Sequence, residues 1–400
     1  MTAAPLALTP WMRRRDSEDG HRVTNLELFF DLVFVFCVTK LSHMLIAHFT
    51  PLGALQTLIL TMAVWWTWIC TGWVTNWLNP EKTPVRLLVI ALMLVGLALA
   101  GSISNAFQGG GLIFAVTYVV ISVGRTAAAL YLMWGSHQQA NFTRILCWFC
   151  FSALFWLAGG LSSGETQLAL WMVAVFLDYF SAVVGFQVPF LGRSSTEDWT
   201  VSGEHMAERA GLFVIIALGE SLLVSGETFA ELKWNLTAHA ALFFTFASSV
   251  AMWWTYFVAN AEIGARSIST SSDPGRIARS AYSFIHVAIV SGIVLNAVAD
   301  EFILSHPTGH YNGNAVLAAT LGPAIFLVGN LFFNRVISGR IPVSHVAGIV
   351  ALLALIPLSQ ALHLVPLWLA SLTAVIQVAV ALWAARENNF EREDKGRLAA

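Results

Sequence analysis

The sequence predicts an all-α fold, a polytopic integral-membrane helical bundle of about twelve transmembrane helices. Three observations predict it. Hydrophobic residues make up 57% of the 400 residues and charged residues only 11%, against roughly 45–50% and 25% in ordinary soluble domains. Twelve apolar runs approach the roughly 20 residues that a helix needs to cross a hydrocarbon core about 30 Å thick. Basic residues gather in alternate connections between those runs, the pattern produced by retention of Lys and Arg on the cytoplasmic side.

The first run, Leu26–His48, is apolar enough to lie in lipid yet carries Glu27, Asp31, Lys40 and His43. A charge at mid-depth costs roughly 2.5–3.5 kcal/mol on insertion scales, so such groups face a bundle interior or a wet cavity. Glu27 and Asp31 share one helix face at i,i+4 spacing. The second run, Leu55–Val74, holds Trp65, Trp66, Trp68 and Trp73, with Trp77 just beyond; these read as interface anchors. Leu87–Ala106 and Leu112–Trp134 follow, joined by an outer turn at Gly109-Gly110-Gly111, and the fourth run carries Arg125. Ile145–Leu161 contains Cys147 and Cys150, which, like Cys37 and Cys70, read as small packing residues. The sixth run, Leu168–Phe190, has Asp178 near its middle.

Ala210–Val224, the seventh and shortest run, surrounds Glu220 with Gly211, Gly219 and Gly226. Short, Gly-interrupted spans mark binding sites in repeat-built transporters, so a broken helix is expected here. The remaining runs are Ala238–Ala259, Ala281–Leu304, Ala315–Phe333, Val343–Ala361 and Leu364–Ala384. The ninth carries His286 and closes on Asp300 and Glu301, which read as interfacial.

With the amino terminus inside, every Lys and Arg except Lys40, Arg125 and Lys233 falls on the cytoplasmic side, Arg13, Arg14, Arg15, Arg22, Arg209 and Arg266 among them. Both termini are then expected to be cytoplasmic. A segment 1–25 precedes a first six-helix half, 26–190; a loop 191–209 joins it to a second half, 210–384, and a tail 385–400 follows. The first run is too long and too charged for a signal-peptide core. The phrase Val64-Trp65-Trp66-Thr67-Trp68 returns as Met252-Trp253-Trp254-Thr255-Tyr256, and Val123-Gly124-Arg125 as Val328-Gly329-Asn330. Both matches pair a helix with the one six later, which suggests two parallel six-helix repeats. The net charge of −2 gives no reason to expect a nucleic acid; membrane lipids are the expected partners, with anionic headgroups facing the basic loops.

The chemistry lies in the intramembrane charges. Asp31, Asp178 and Glu220 are the candidate ion-responsive acids, with Lys40 and Arg125 setting their charge state. Asp31 is expected to meet Arg125, Lys40 to meet Glu220 or Asp178, and Glu27 to answer Arg22 or a helix amino terminus at the cytoplasmic interface. Four carboxylates against two cations leave acids over, and an unpaired carboxylate in low dielectric favours its neutral form unless a cation visits. Secondary candidates are Glu27, His43, Glu208, Arg209 and His286. His205-x-x-Glu208 has metal-compatible spacing but no third ligand. No cofactor is expected, and no nucleophile–base pair or phosphate loop points to an enzyme.

Arg22-Val-Thr24 followed by Leu26-Glu-Leu-Phe-Phe-Asp-Leu-Val-Phe-Val-Phe36 resembles the opening signature of the bacterial low temperature requirement A proteins. The segment His205-Met-Ala-Glu-Arg-Ala-Gly-Leu-Phe-Val-Ile-Ile-Ala-Leu-Gly-Glu-Ser221 resembles that family's other characteristic block. Lys40 departs from the family pattern, which more often has an uncharged polar residue there. The resemblance implies a polytopic bacterial inner-membrane protein associated with growth in the cold, and no defined reaction. Arg22, Phe30 and Asp31 also resemble an element of the lysosomal-type potassium channels, though with different spacing. The leading expectation is a small-solute transporter coupled to protons or another cation. The alternatives are a cation channel, for protons or potassium, and a non-transporting scaffold or lipid-handling protein.

Overall fold

The computed structural model describes residues 9–13, 22–196, 199, 201–258, 271 and 273–399, with side chains to Glu387. Arg14, Arg15 and Arg266 of the orientation argument, and most of segment 1–25, lie outside the described residues. Among those described, twelve helices are long and apolar enough to cross a membrane. They are α1 (Asn25–Ala47), α2 (Pro51–Trp77), α3 (Thr83–Asn105), α4 (Gly111–Leu132), α5 (Gln139–Gly160) and α6 (Gly164–Val183), then α7 (Gly203–Glu231), α8 (Leu236–Tyr256), α9 (Pro274–Ser305), α10 (Gly313–Ser338), α11 (Val343–Leu362) and α12 (Pro366–Glu387).

Local chemistry sets several of these ends. Thr24 and Glu27 form a capping box at the start of α1: the Thr24 N–H donates to Glu27 Oε2 at 2.9 Å, and the Glu27 N–H returns to Thr24 Oγ1 at 3.4 Å. That reciprocal pair satisfies amides a helix start leaves unpaired. Thr50 caps α2 by accepting from the Gly53 N–H, with Pro51 in the first turn. Asn235 caps α8 through the Ala238 N–H.

The sixth span ends earlier than its hydropathy suggests. Gly185 takes a left-handed φ of 65°, and the Phe186 N–H closes back on the Ser181 carbonyl at 2.7 Å, a terminus that glycine permits without steric cost. The seventh span departs in the opposite sense. It is one continuous helix of 29 residues, so Gly211, Gly219 and Gly226 do not break it. A single glycine costs a helix only about 1 kcal/mol, and the flanking Leu, Ala and Glu residues offset it. Among the described residues, π turns fall instead in α4, at Val120–Gly124, and in α9, at Ala278–Ile285.

The helices divide into two compact units. One comprises Met1–Met44, Thr50–Arg209 and Ser269–Ala278; the other comprises Leu45–Phe49, Ala210–Ile268 and Arg279–Ala400. In the first, α3 presents Leu87, Ile90, Leu94 and Leu97 outward as an apolar stripe, while Val85, Val89, Leu92 and Leu99 turn inward. An apolar outer stripe of this kind fits a face turned to lipid. The tryptophans of α2 are not interface anchors: Trp65, Trp66, Trp68, Trp73 and Trp77 are all buried. They stack among themselves and onto neighbours, Trp66 on Tyr179 at 4.4 Å between centroids and Trp77 on Phe142 at 5.5 Å. Their counterparts in the repeated phrase, Trp253 and Trp254, are exposed. Cys147 and Cys150 are also exposed, so they do not serve core packing.

In the second unit α9 and α10 approach closely. A Cβ on Gly322 would lie 2.8 Å from the Asn296 backbone nitrogen, and one on Gly329 2.9 Å from that of Ile289. Small residues let membrane helices pack backbone to backbone where no hydrophobic force drives them together.

Candidate functional site

Among the described residues, three polar clusters are built around buried carboxylates, two in the first unit and one in the second. The first gathers at the amino-terminal end of α1. A short bridge lays Thr9–Arg13 along the end of α2, with the Arg13 N–H on the Trp77 carbonyl at 2.8 Å. From there Arg13 donates Nε to the Thr75 carbonyl, Nη1 to the Arg22 carbonyl and Nη2 to Glu27 Oε2, at 2.7, 3.0 and 2.9 Å. The partner of Glu27 is thus Arg13 rather than Arg22, which contributes only a backbone oxygen.

His205, on the first turn of α7, stands 2.8 Å from Glu27 Oε1 through Nε2. Its charge state follows from hydrogen-bond logic. Asn76 Oδ1 accepts the Ser202 N–H, so Asn76 Nδ2 is the donor to the Ser202 carbonyl and to His205 Nδ1, each at 3.1 Å. Nδ1 therefore accepts, Nε2 carries the proton to Glu27, and the imidazole is neutral.

One turn along, Arg209 Nη1 donates to Asp31 Oδ2 at 3.1 Å and to the Glu27 carbonyl at 2.9 Å, while Nη2 stands 2.8 Å from Asp31 Oδ1 as an ion pair; Nε and Nη2 make no hydrogen bond. Trp68 Nε1 completes the Asp31 shell at 2.8 Å. Two carboxylates thus face two guanidiniums and a neutral histidine, and every one of these side chains is buried. The cluster is charge-balanced. Asp31 does not pair with Arg125, as the sequence suggested, because Arg209 takes that place.

The second cluster lies deeper in the first unit. Asp178 Oδ2 accepts from Tyr118 Oη at 2.7 Å and from Trp156 Nε1 at 3.0 Å, while Oδ1 has no hydrogen-bond partner. The rotatable hydroxyl of Ser152 lies beside Asp178 and 3.3 Å from the Phe149 carbonyl, within reach of either. Arg125 directly follows the π turn of α4. Its Nη1 donates to the Thr67 carbonyl and Thr71 Oγ1, at 2.9 and 3.2 Å, but Nε and Nη2 have no partner. Both residues are almost fully buried, at 2% and 1% exposure. They make no salt bridge within 4 Å among the described residues. π turns recur at functional sites because they displace a side chain from the regular helical register.

The third cluster belongs to the second unit. Asp300 is 2% exposed rather than interfacial. Its Oδ2 accepts from Ser221 Oγ at 2.5 Å and Asn296 Nδ2 at 3.3 Å. Asn296 Oδ1 accepts from Ser248 Oγ at 3.2 Å, which accepts in turn from Gln377 Nε2 at 2.7 Å. Only neutral donors are seen on this carboxylate. Hydropathy misplaces it because it lies near the end of an apolar run, where an acid at a membrane interface and an acid folded inward look alike.

The other sequence candidates divide plainly. Glu220 is buried in the second unit beside Ser221 in sequence. Lys40 belongs to the first unit, where it is half-buried with its ammonium 5.1 Å from the Phe36 ring centre; it is not the partner of Asp178. His43 and Glu208 are exposed, and Glu208 accepts the Val23 N–H at 3.2 Å. His286 is buried with both nitrogens used, Nδ1 on the Ala281 carbonyl and Nε2 on Tyr256 Oη, each at 2.8 Å. Among the described residues no group of three His, Cys, Asp or Glu side chains could hold a metal ion.

The sequence pattern described as bacterial low temperature requirement A protein (LtrA) matches residues 22–382. The chain belongs to the low temperature requirement A family. It is also 39% identical, over 378 residues, to an uncharacterized protein of Rhizobium meliloti (strain 1021), covering 94% of this chain and 91% of the relative. No solved structure matches.

In this low temperature requirement A protein, the two segments that carried the resemblance supply Glu27 and Asp31 on one side and His205 and Arg209 on the other. Arg209 falls among the loop charges in the hydropathy reading, because the apolar run begins only at Ala210. The His205-x-x-x-Arg209 spacing was the available signal: it places an imidazole and a guanidinium on one helix face, matching the i,i+4 acids of α1.

Proposed function

We propose that this low temperature requirement A protein is a transporter that moves a small solute in step with protons or another cation across the bacterial inner membrane. The supporting observation is the unclosed Arg125–Asp178 site. Two opposite charges are buried in one unit without an ion pair between them, and Arg125 Nε, Arg125 Nη2 and Asp178 Oδ1 make no hydrogen bond. Leaving a buried donor or acceptor unmade costs about 1–3 kcal/mol, more when charged. Arg209 also leaves Nε and Nη2 without hydrogen bonds, but its charge meets that of Asp31 at 2.8 Å, whereas Arg125 and Asp178 make no ion pair. A site kept open is completed by what passes through it: a proton on Asp178, or a solute that accepts from the guanidinium and donates to the free carboxylate oxygen.

The Glu27–Asp31 cluster plays a different part in this reading. Its charges are already balanced, so it holds α1 and the first turns of α7 together rather than titrating. Asp31 therefore leaves the set of ion-responsive acids, and Asp178 leads it. The basic residues of alternate connections support cytoplasmic termini.

The test is proton flux in vesicles with a trapped pH dye, under imposed pH and potassium gradients, comparing the wild type with Asp178→Asn. Asparagine keeps an oxygen for Tyr118 and Trp156 and turns its amide to the position of Oδ1, where no protein donor would clash. The variant is expected to fold and to lose flux. A folded variant with undiminished flux would refute the role given to Asp178. Flux driven by voltage alone, with no solute dependence, would make the protein a channel instead.

A further inference from the structure

The Asp300 cluster carries an inference of its own. A small cavity in the second unit is lined by Asp300, Asn296, Ser248, Thr245 and Thr373 among apolar residues including Phe244 and Ile303. Its free space for the centre of a water-sized sphere is about 10 Å³, the lower limit for holding one such body.

The hydroxyl protons around it are committed elsewhere. Thr373 Oγ1 donates to the Leu369 carbonyl at 3.0 Å and Thr245 Oγ1 to the Leu242 carbonyl at 3.1 Å. Ser248 Oγ donates to Asn296, and Ser221 Oγ to Asp300. What these groups can still offer a guest is oxygen lone pairs. Lone pairs around one carboxylate, in a space too small for a hydrated ion, suit a guest that brings only positive charge or protons: a bare cation bound by hard oxygen ligands, or a single water.

The charge balance points the same way. Among the described residues no Lys, Arg or His makes a salt bridge with Asp300, so this buried acid is neutral only when it holds a proton or a bound cation. A monovalent ion neutralises it, whereas a divalent one would leave a net positive charge in low dielectric.

We infer that Asp300, Asn296, Ser248, Thr245 and Thr373 form a binding site for a dehydrated alkali cation of sodium size or smaller. This deepens the transport reading by assigning a coupling ion, yet it is tested by binding alone. Purified full-length protein in detergent is heated at constant ionic strength, with choline chloride replaced stepwise by sodium, lithium or potassium chloride. Unfolding is followed through tryptophan fluorescence.

The wild type is expected to show a saturable rise in unfolding temperature with sodium and lithium but not with potassium. Asp178→Asn should keep that rise and Asp300→Asn should lose it. The amide oxygen introduced by Asp300→Asn would still accept from Ser221 and Asn296, so the cluster has no reason to come apart. Should Asp300→Asn fail to fold, Thr373→Val removes one lining oxygen at nearly constant shape, and the sodium midpoint should move up at least tenfold. Equal responses to every salt, a rise retained by Asp300→Asn, or an unmoved midpoint in Thr373→Val would each overturn the site. Asp178-dependent proton flux in a sodium-insensitive protein would overturn this inference and leave the transport reading standing. A sodium response without flux would do the reverse.

Discussion

Replacing Arg209 with glutamine should be among the most destabilising single changes in the chain. Asp31 would lose both guanidinium contacts, at 3.1 and 2.8 Å, and the Glu27 carbonyl would lose its 2.9 Å donor. One Trp68 hydrogen bond would remain on a carboxylate that is only 1% exposed. Removing one member of a buried ion pair costs about 3–5 kcal/mol, chiefly because the other charge is left behind. That cost is a factor of roughly 10² to 10³ or more in the unfolding equilibrium. Most of it belongs to the stranded charge, so Arg209→Gln with Asp31→Asn should recover about 1–3 kcal/mol relative to the single variant. The asparagine side chain in that double variant can still accept from Trp68. The assay is reversible unfolding in mixed micelles of increasing denaturing-detergent content, read by tryptophan fluorescence. A single variant within about 1 kcal/mol of wild type, or a double variant no better than the single, would refute the claim that this cluster is a charge-balanced structural clasp.

Three further outcomes follow from particular contacts. Asn76→Leu removes the donor to His205 Nδ1 and both bonds to the Ser202 backbone; it should cost at least about 1–3 kcal/mol in the same assay. Nitrogen chemical shifts should also show His205 no longer held in its Nε2–H tautomer. Gly322→Leu drives a side chain into the Asn296 backbone, which already lies 2.8 Å from an ideal Cβ; overpacking there should cost about 1–3 kcal/mol. Gly219→Ala makes the opposite test. Nothing lies within 4 Å of its ideal Cβ, and alanine is the better helix former by about 1 kcal/mol, so thermal unfolding should show a stabilised protein.

Much of the fold could be read along the chain, because hydropathy is a local property. All twelve apolar runs reappear as helices, and the Thr24–Glu27 capping box was present in four consecutive residues. The departures came where local sequence underdetermines direction. The Gly-rich seventh run looked broken, but its backbone hydrogen bonds close within the helix whether or not side chains help. The α2 tryptophans looked like interface anchors, yet they pack inward because neighbouring helices offer aromatic faces that hydropathy does not record. Arg209 looked like a loop charge because hydropathy begins a span at its first apolar residue, whereas the helix begins at Gly203.

The sequence by itself determined that this chain lies in a membrane, how many times its helices can cross, and that carboxylates and guanidiniums must be reconciled inside the spans. Only the tertiary structure decided which charge meets which. Arg209 and Asp31 stand 178 residues apart in sequence, and Arg13 reaches Glu27 only because Thr9–Arg13 are laid along the end of α2. An ion pair depends on a separation of a few ångströms between helices, and no periodicity within a single helix encodes that distance.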